Sequence, residues 1–310
     1  MPDLTICIAC RGNGLGLWST VEGCEADLEH SGISYNYSIV QNGDKKPDNG
    51  TLILLNYLHE SGKLAFKEVR KEPMSPPSAR QLASAHADGN VLAFLDNHVI
   101  VHRDYFKRAM LDFEQYGCDM LHSTTQFHPG NKLYYHYSLL LDTQFWGTSS
   151  LFTPTHKPYK IAAGGHGGFF VTRASWEEVG GYGPDELFEG YAGEELTTDL
   201  KYWMLGKTVW LDPKMVHSHY VGVREYKRHY TDDYYINLMV SANVIGGPAY
   251  LDRVAKYFCK VPRALSERTI YDLMQIAYRR SNVYAKELAS KRLMDLPQLL
   301  QFFQRECIEH

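Results

Sequence analysis

Short apolar runs alternate with amphipathic stretches through roughly the first third of the chain. "LTICIAC" (4–10) is unbroken, the pattern of a strand covered on both faces in a parallel sheet. A glycine-rich turn, "RGNGLG" (11–16), leads into a helical stretch from about residue 18 to 30. "YSIVQN" (37–42) predicts a second strand, "NGTLILLNYLHESG" (49–62) an amphipathic helix stopped by Gly62, and "FKEV" (66–69) a third strand. "PPSARQLASAHADG" (76–89) carries proline at a helix start and glycine at its end. "NVLAFLDNH" (90–98) is the fourth strand. The alternation β-α-β-α-β-α-β predicts a doubly wound, mostly parallel sheet with helices on both faces.

Beyond about residue 118 the pattern changes. "DMLHSTTQFH" (119–128) alternates, 143–160 reads as a loop rich in aromatics and proline, and 162–182 as a glycine-dense turn, a strand and a short helix. "GEELTTDLKYWMLG" (193–206) is a helix opening on two carboxylates, with Leu196, Leu200 and Trp203 as its buried stripe. "TVWLDP" (208–213) is a strand, and "KMVHSHY" follows it. From about residue 233 the chain reads as helices, with apolar stripes such as Leu265, Ile270, Leu273 and Ile276–Ala277 and a basic stretch, "YRRSNVYAKELASKRL", at 278–293.

The fourth strand raises a chemical question, because its apolar run "LAFLDNHVIV" is broken by Asp96, Asn97 and His98. Such groups are costly to bury without partners. Asp96 and His98 are two apart and face the same way along an extended chain. Together they offer oxygen and nitrogen ligands for a divalent ion such as Mn²⁺ or Zn²⁺. An ordinary strand end, with Asp96 capping a turn, is the alternative. The ends of three strands, "RGNG", "QNGD" and "DNH", are all polar, and ligands of such sheets bind outside the carboxyl ends of the strands. The turn "GNGLG" has the spacing GxGxG, which does not match a dinucleotide fingerprint.

Composition narrows the class. The 310 residues suffice for one large domain or two smaller ones, and 44% hydrophobic with 22% charged residues fits an ordinary globular chain. No apolar run is long enough to span a bilayer. "MPDLTICIAC" has neither a basic region nor a cleavable signal pattern. Residues 1–219 carry 18 positive and 26 negative charges, a net of −8; residues 220–310 carry 14 and 10, a net of +4. The basic tail points to an anionic partner or to solvated helix faces. The six cysteines are scattered, and Cys7 and Cys10 fall on opposite strand faces, so they share no metal. Reduced, buried thiols and a cytoplasmic location are the expectation.

"FLDNHVIVHRDYF", "GGFFVTRASWEEVGGY", "GYAGEELTTDLKYWMLGKTVWLDP" and "HSHY" stand in the order seen in glycosyltransferases of the GT-A fold. The chain resembles the family 2 enzymes and the polypeptide N-acetylgalactosaminyltransferases over roughly residues 2–225. The resemblance implies a Rossmann-like α/β catalytic domain over 1–232 and a helical C-terminal extension over 233–310. The nucleotide-sugar half would be 1–118 and the acceptor half 119–232. It implies a UDP-sugar donor and Mn²⁺ or Mg²⁺. In that family the strand end carries Asp-x-Asp or Asp-x-His, and a further His follows about two dozen residues after the Glu opening the acceptor-side helix. Asp96 and His98 match the motif and, counted from Glu194, His219 matches the later position; His217 is two residues off.

In inverting relatives the second carboxylate of that helix is the general base, which puts Glu195 in the role beside Glu194. Retaining relatives have an amide there, while the Asp-x-His motif and the Gly-Gly-Phe segment lean toward them, so both outcomes stay open. From the residues alone, the two acids also read as stabilisers of a helix N-terminus. The resemblance further places Arg11, Asn42, Asp44, Arg80, Asn97, Gly167 and Gly168 at the donor, with glycines allowing close approach to the sugar. Arg224, Tyr226, Lys227 and Arg228 would form a lid over the diphosphate, or a solvated basic loop. The expected function is metal-dependent transfer of a sugar to an acceptor hydroxyl. The acceptor would be a glycan, a lipid-linked molecule or a nucleic acid, hydroxylated DNA bases included. A metal hydrolase built on Asp96, His98, His217 and His219 lacks bridging carboxylates, and a non-catalytic nucleotide-sugar binder is the remaining alternative.

Overall fold

A computed structural model describes residues 2–11, 14–43, 49–128, 132–140, 146–149, 155–190, 192–220, 231–260 and 268–306. The first half is β1 (Leu4–Cys10), α1 (Gly14–Leu28), β2 (Tyr35–Gln41), α2 (Asn49–Glu60), β3 (Leu64–Val69), α3 (Pro76–Ala85) and β4 (Val91–Asp96). The predicted alternation is present, and α1 starts four residues early, inside the glycine-rich turn. Next come β5 (Val99–Val101), α4 (Tyr105–Tyr116), β6 (Met120–His128), β7 (Lys132–Tyr134), β8 (Tyr137–Leu140), β9 (Trp146–Ser149) and β10 (Tyr159–Lys160). Then follow β11 (Gly168–Thr172), α5 (Arg173–Val179), α6 (Glu194–Met204) and β12 (Val209–Tyr220). Four helices finish the chain: α7 (Asp232–Gly246), α8 (Pro248–Phe258), α9 (Ile270–Lys291) and α10 (Leu296–Glu306).

The main sheet has the order β10-β12-β6-β11-β4-β1-β2-β3. Strands β3, β2, β1 and β4 are parallel, as helical crossovers require. Strand β11 runs antiparallel to both β4 and β6, while β6 and β12 are parallel, so the second half is mixed. Alternate residues feed two separate cores: Cys7, Phe94 and Phe169 pack on one face, and Ile6, Ile8, Cys10 and Leu95 on the other. Cys7 and Cys10 therefore do lie on opposite faces.

Strand β12 is longer than the sequence suggested. It runs through Pro213, with a register shift between Asp212 and Val216 that accommodates the missing donor. This irregularity carries "HSHY" along the sheet, where β12 pairs with β5 and sets His219 opposite Val99 and His217 opposite Val101.

Helix α6 is buried almost all round, not along one stripe. The C-terminal helices supply the second cover. Leu251, Ile270, Leu273, Leu288, Leu296 and Leu299 belong to the same buried cluster as Leu196, Leu200 and Trp203. Each such side chain contributes about 1.5–3 kcal/mol when fully buried. Even Lys201 on α6 is enclosed: its ammonium donates to the Gly181 carbonyl and to the Tyr284 hydroxyl of α9, and burial pulls it down to about 7. No helix among the described residues is long and apolar enough to cross a membrane.

Candidate metal and catalytic site

The site begins where β4 ends. The carboxyl end of β4 is aligned with that of β1, Asp96 lying opposite Ala9. Three residues later the chain enters β5, whose pairing with β12 delivers His219 from 123 positions away. The Tyr220 amide donates to the His98 carbonyl at 3.1 Å and locks that crossing. His219 Nε2 lies 3.1 Å and His98 Nε2 3.9 Å from the same oxygen, Oδ2 of Asp96. The two rings are 4.5 Å apart, centre to centre. All three residues are half-buried, and one ligating atom from each falls within 4.8 Å of the others.

The other oxygen of Asp96, Oδ1, accepts from Arg80 at 2.5 Å. Arg80 rises from α3, which Ser75 caps and a proline opens, and it is buried. It also donates to the Tyr182 hydroxyl at 3.3 Å. Burial would push the Asp96 carboxyl up, but Arg80, His219 and His98 outweigh it and hold the group well below the ordinary carboxylate range. Burial likewise opposes the Arg80 charge, and Tyr182, Asp96 and Glu195 more than restore it.

Glu194 and Glu195 enter from α6. The turn before them is strained: Ala192 has φ 95°, in a region that non-glycine residues avoid, and Gly193 follows at φ 87°. A Cβ on Gly193 would meet Ser241 Oγ at 2.5 Å and the Asn237 carbonyl oxygen at 2.7 Å. Ser241 donates to the Gly193 carbonyl at 3.0 Å, so α7 braces the start of α6. Glu195 is half-buried. Glu194 is buried, its Oε2 makes no hydrogen bond among the described residues, and burial with the neighbouring Glu195 pushes it up to about 7. Two carboxylates and a guanidinium thus stand near a triad that could hold a metal ion, an arrangement suited to neutralising an anion and accepting a proton nearby.

Gly167 and Gly168 sit beneath the histidines. A Cβ on Gly167 would come within 3.2 Å of the His219 ring, and one on Gly168 within 2.8 Å of His217 Nδ1. The close approach that requires glycine here is to protein rings. His217 is fully buried, Nδ1 is 2.8 Å from Ser123 Oγ, and burial foremost pulls the ring down to about 3. The geometry groups His219, not His217, with Asp96 and His98.

The remaining donor-side candidates scatter. Arg11 is exposed at the end of β1. Asn42 spends its side chain on the Met74 backbone, donating to the carbonyl at 2.9 Å and accepting from the amide at 2.8 Å. It acts as a clamp between the β2 end and the loop before α3. Asn97 is buried, with Oδ1 3.2 Å from His98 Nδ1, and so orients that ring. Asp44 and the lid candidates Arg224, Tyr226, Lys227 and Arg228 lie outside the described residues. Sequence reasoning missed Tyr182, which links the Arg80 guanidinium to the interior. Its only sequence signal was its place at the end of the Gly-Gly-Phe segment.

Among solved structures the chain is similar to GalNAc-T7 with UDP, GalNAc and Mn²⁺, at 15% identity and a TM-score of 0.67, over 94% of this chain and 57% of that one. It is similar also to residues 1–349 of S. aureus TarS in complex with UDP-GlcNAc, at 13% identity and a TM-score of 0.59, over 92% and 83% of the two chains. The chain thus spans little more than half the length of the GalNAc-T7 chain, and at these identities the likeness speaks to the fold. No curated protein matches the chain. Residues 5–180, more than half of the sequence, match the model of Glycosyl transferase family 2, and the chain belongs to that family.

Proposed function

We infer that this chain is a metal-dependent glycosyltransferase that moves a sugar from a UDP-sugar to an acceptor hydroxyl, with inversion and with Glu195 as general base. The observation that carries the reading is the meeting of the Asp96–His98–His219 triad with the carboxylate-bearing start of α6, across Arg80. The donor class follows the GalNAc-T7 and TarS structures, which hold UDP with GalNAc and UDP-GlcNAc respectively.

The residues fit a divalent ion. One carboxylate and two imidazoles form a mixed set between the ligation typical of Mg²⁺ and that of zinc, which suits Mn²⁺. The triad is half-buried, so part of the coordination sphere faces the crevice. Nδ1 of His219 is buried without a hydrogen bond among the described residues. When bound, the ion supplies Lewis-acid stabilisation of the departing diphosphate.

The chain's own groups do the rest. Arg80 keeps Asp96 ionised and aligned. Glu195, half-buried beside Arg80, takes the proton from the acceptor hydroxyl as its oxygen attacks the anomeric carbon. Glu194 anchors the helix start. Arg279 and Lys291 are exposed on α9, although Arg280 pairs with Glu189 at 3.0 Å and Lys291 with Glu287 at 2.6 Å. An anionic acceptor met in the cytoplasm is the partner proposed for that side.

The test is the stereochemistry of transfer. Proton NMR of the first-formed product should show inversion at the anomeric carbon. Retention would make Glu195 a partner of Arg80 that positions the site without acting as base.

A further inference from the structure

A second cluster lies deeper, with no part in the reading above. His122 on β6, His166 in the loop before β11 and Asp199 on α6 are each 0% exposed. Among the described residues, this group and the Asp96 triad are the two sets of metal-ligating atoms that converge within 4.8 Å. His166 Nε2 is 2.9 Å from Asp199 Oδ1, and His122 Nε2 is 3.1 Å from Asp199 Oδ2.

The outer nitrogens are both committed. His122 Nδ1 is 3.3 Å from the Gly165 carbonyl, and His166 Nδ1 is 3.1 Å from the Tyr182 hydroxyl. A carbonyl only accepts, so His122 Nδ1 carries its proton, and a neutral ring then turns a lone pair from Nε2 toward the carboxylate. That fully buried Nε2 is 3.1 Å from Oδ2 yet is not aligned for a hydrogen bond with it. Two imidazoles with fixed outer nitrogens and inner nitrogens turned on one carboxylate are the ordinary surroundings of a bound metal. Oδ2 is also oriented by the Gly164 amide at 2.7 Å. Gly164 itself must be glycine, since a Cβ would stand 2.5 Å from the His122 ring.

We propose that His122, His166 and Asp199 form a second, buried binding site for a divalent first-row metal ion, Zn²⁺ by its donor set. Two imidazole nitrogens and the Asp199 carboxylate provide three protein ligands, one atom from each converging within 4.8 Å, the ligand count of a zinc site that keeps one further position. Ligands bound about 2.0–2.2 Å from one zinc stand roughly 3–3.5 Å apart, close to the separations seen. The ion would fix His166, and through Tyr182 it would fix Arg80, which holds Asp96. Its role is to brace the crevice from within.

The experiment uses the full chain carrying Asp96→Ala and His98→Ala, which dismantles the crevice triad and leaves the buried cluster intact. The chain is expressed with added zinc, dialysed against EDTA and assayed by elemental mass spectrometry. About one equivalent of zinc should remain per chain, because the three buried ligands converge on a single ion. Expression with Co²⁺ should give the visible absorption of protein-bound cobalt, and adding His122→Ala should abolish both signals. Should the triple variant fail to fold, the zinc content and cobalt spectrum of the double variant decide the matter by themselves. A metal-free chain whose melting temperature ignores zinc and 1,10-phenanthroline would overturn the proposal. So would nitrogen NMR of the zinc-supplemented chain showing a proton on Nε2 of His122, because a metal-bound nitrogen carries none.

Discussion

Arg80 and Asp96 are joined at 2.5 Å through one carboxylate oxygen, which leaves the other to face His219 and His98. The guanidinium thus divides the work of the carboxylate, one oxygen for orientation and one left to the two imidazoles, where the proposed metal would bind. Breaking such a pair leaves a charge partly buried and unmatched, at a cost of about 3–5 kcal/mol in the buried limit, less here because the Asp96 side chain is 26% exposed. Arg80→Ala should lower the melting temperature and weaken Mn²⁺ binding roughly 10–100-fold, the usual effect of losing an outer partner of a metal ligand. Arg80→Lys should recover stability more than metal affinity, since an ammonium does not reproduce the fork that reaches both Asp96 and Tyr182. Calorimetric titration with Mn²⁺ checks this; unchanged affinity in Arg80→Ala would remove Arg80 from the site.

The two histidines of "HSHY" should separate cleanly. His219→Ala should abolish Mn²⁺ binding. His217→Ala should keep it and lose stability, because that ring is buried on Ser123 and Gly168. The opposite pattern, read by titration and thermal melts, would move the ligand to His217.

Glu195→Gln should lower turnover by about 10²–10⁴, the range for loss of a general base, with donor affinity nearly unchanged. Steady-state kinetics with the donor varied is the check. A matching loss of donor affinity would assign Glu195 to donor binding.

Gly193→Ala should cripple the site without unfolding the sheet. The position has φ 87°, and its Cβ would stand 2.5 Å from Ser241 Oγ. Strain of this kind costs about 1–3 kcal/mol. Turnover should fall, and Ser241→Gly in the same chain should recover part of it by making room. Full activity of Gly193→Ala would show that the approach of α7 does not set the start of α6.

Asp112 on α4 gives the pH dependence. Burial first, and Asp212 second, push its carboxyl up to about 7 from an ordinary value of 3.8. Between those values the folded chain holds more protons than the unfolded one, so this group makes stability fall as pH rises through the window. Below it both states are protonated and the cost vanishes; above it the cost is complete. Asp112→Asn should therefore raise the melting temperature at pH 8, change it little at pH 4, and flatten the slope between. An equal shift at both pH values would contradict this.

The sequence made the parallel half of the sheet legible because unbroken apolar runs, capped helices and glycine stops repeat there in register. It also exposed Asp96 and His98, since polar groups at the end of a buried strand stand out. It did not show α4, whose amphipathic stretch follows directly on the metal motif, or the length of β12, because Pro213 reads as a stop. The joining of His219 to Asp96 needed the β5–β12 pairing, a contact across 123 residues that no local pattern contains. Asn42 was placed at the donor by the family resemblance; its bonds to the Met74 backbone, 32 residues away, are in no local pattern. The buried His122–His166–Asp199 cluster was invisible for the same reason, its members lying on three separate elements.

Release of UDP from a panel of UDP-sugars, measured with Mn²⁺ and again with excess chelator, tests the central claim most directly. The account predicts release from at least one UDP-sugar with Mn²⁺, loss of that release on chelation, and loss again in Asp96→Ala or His219→Ala. Undiminished release in excess chelator, or equal release from the Asp96→Ala chain, would contradict it.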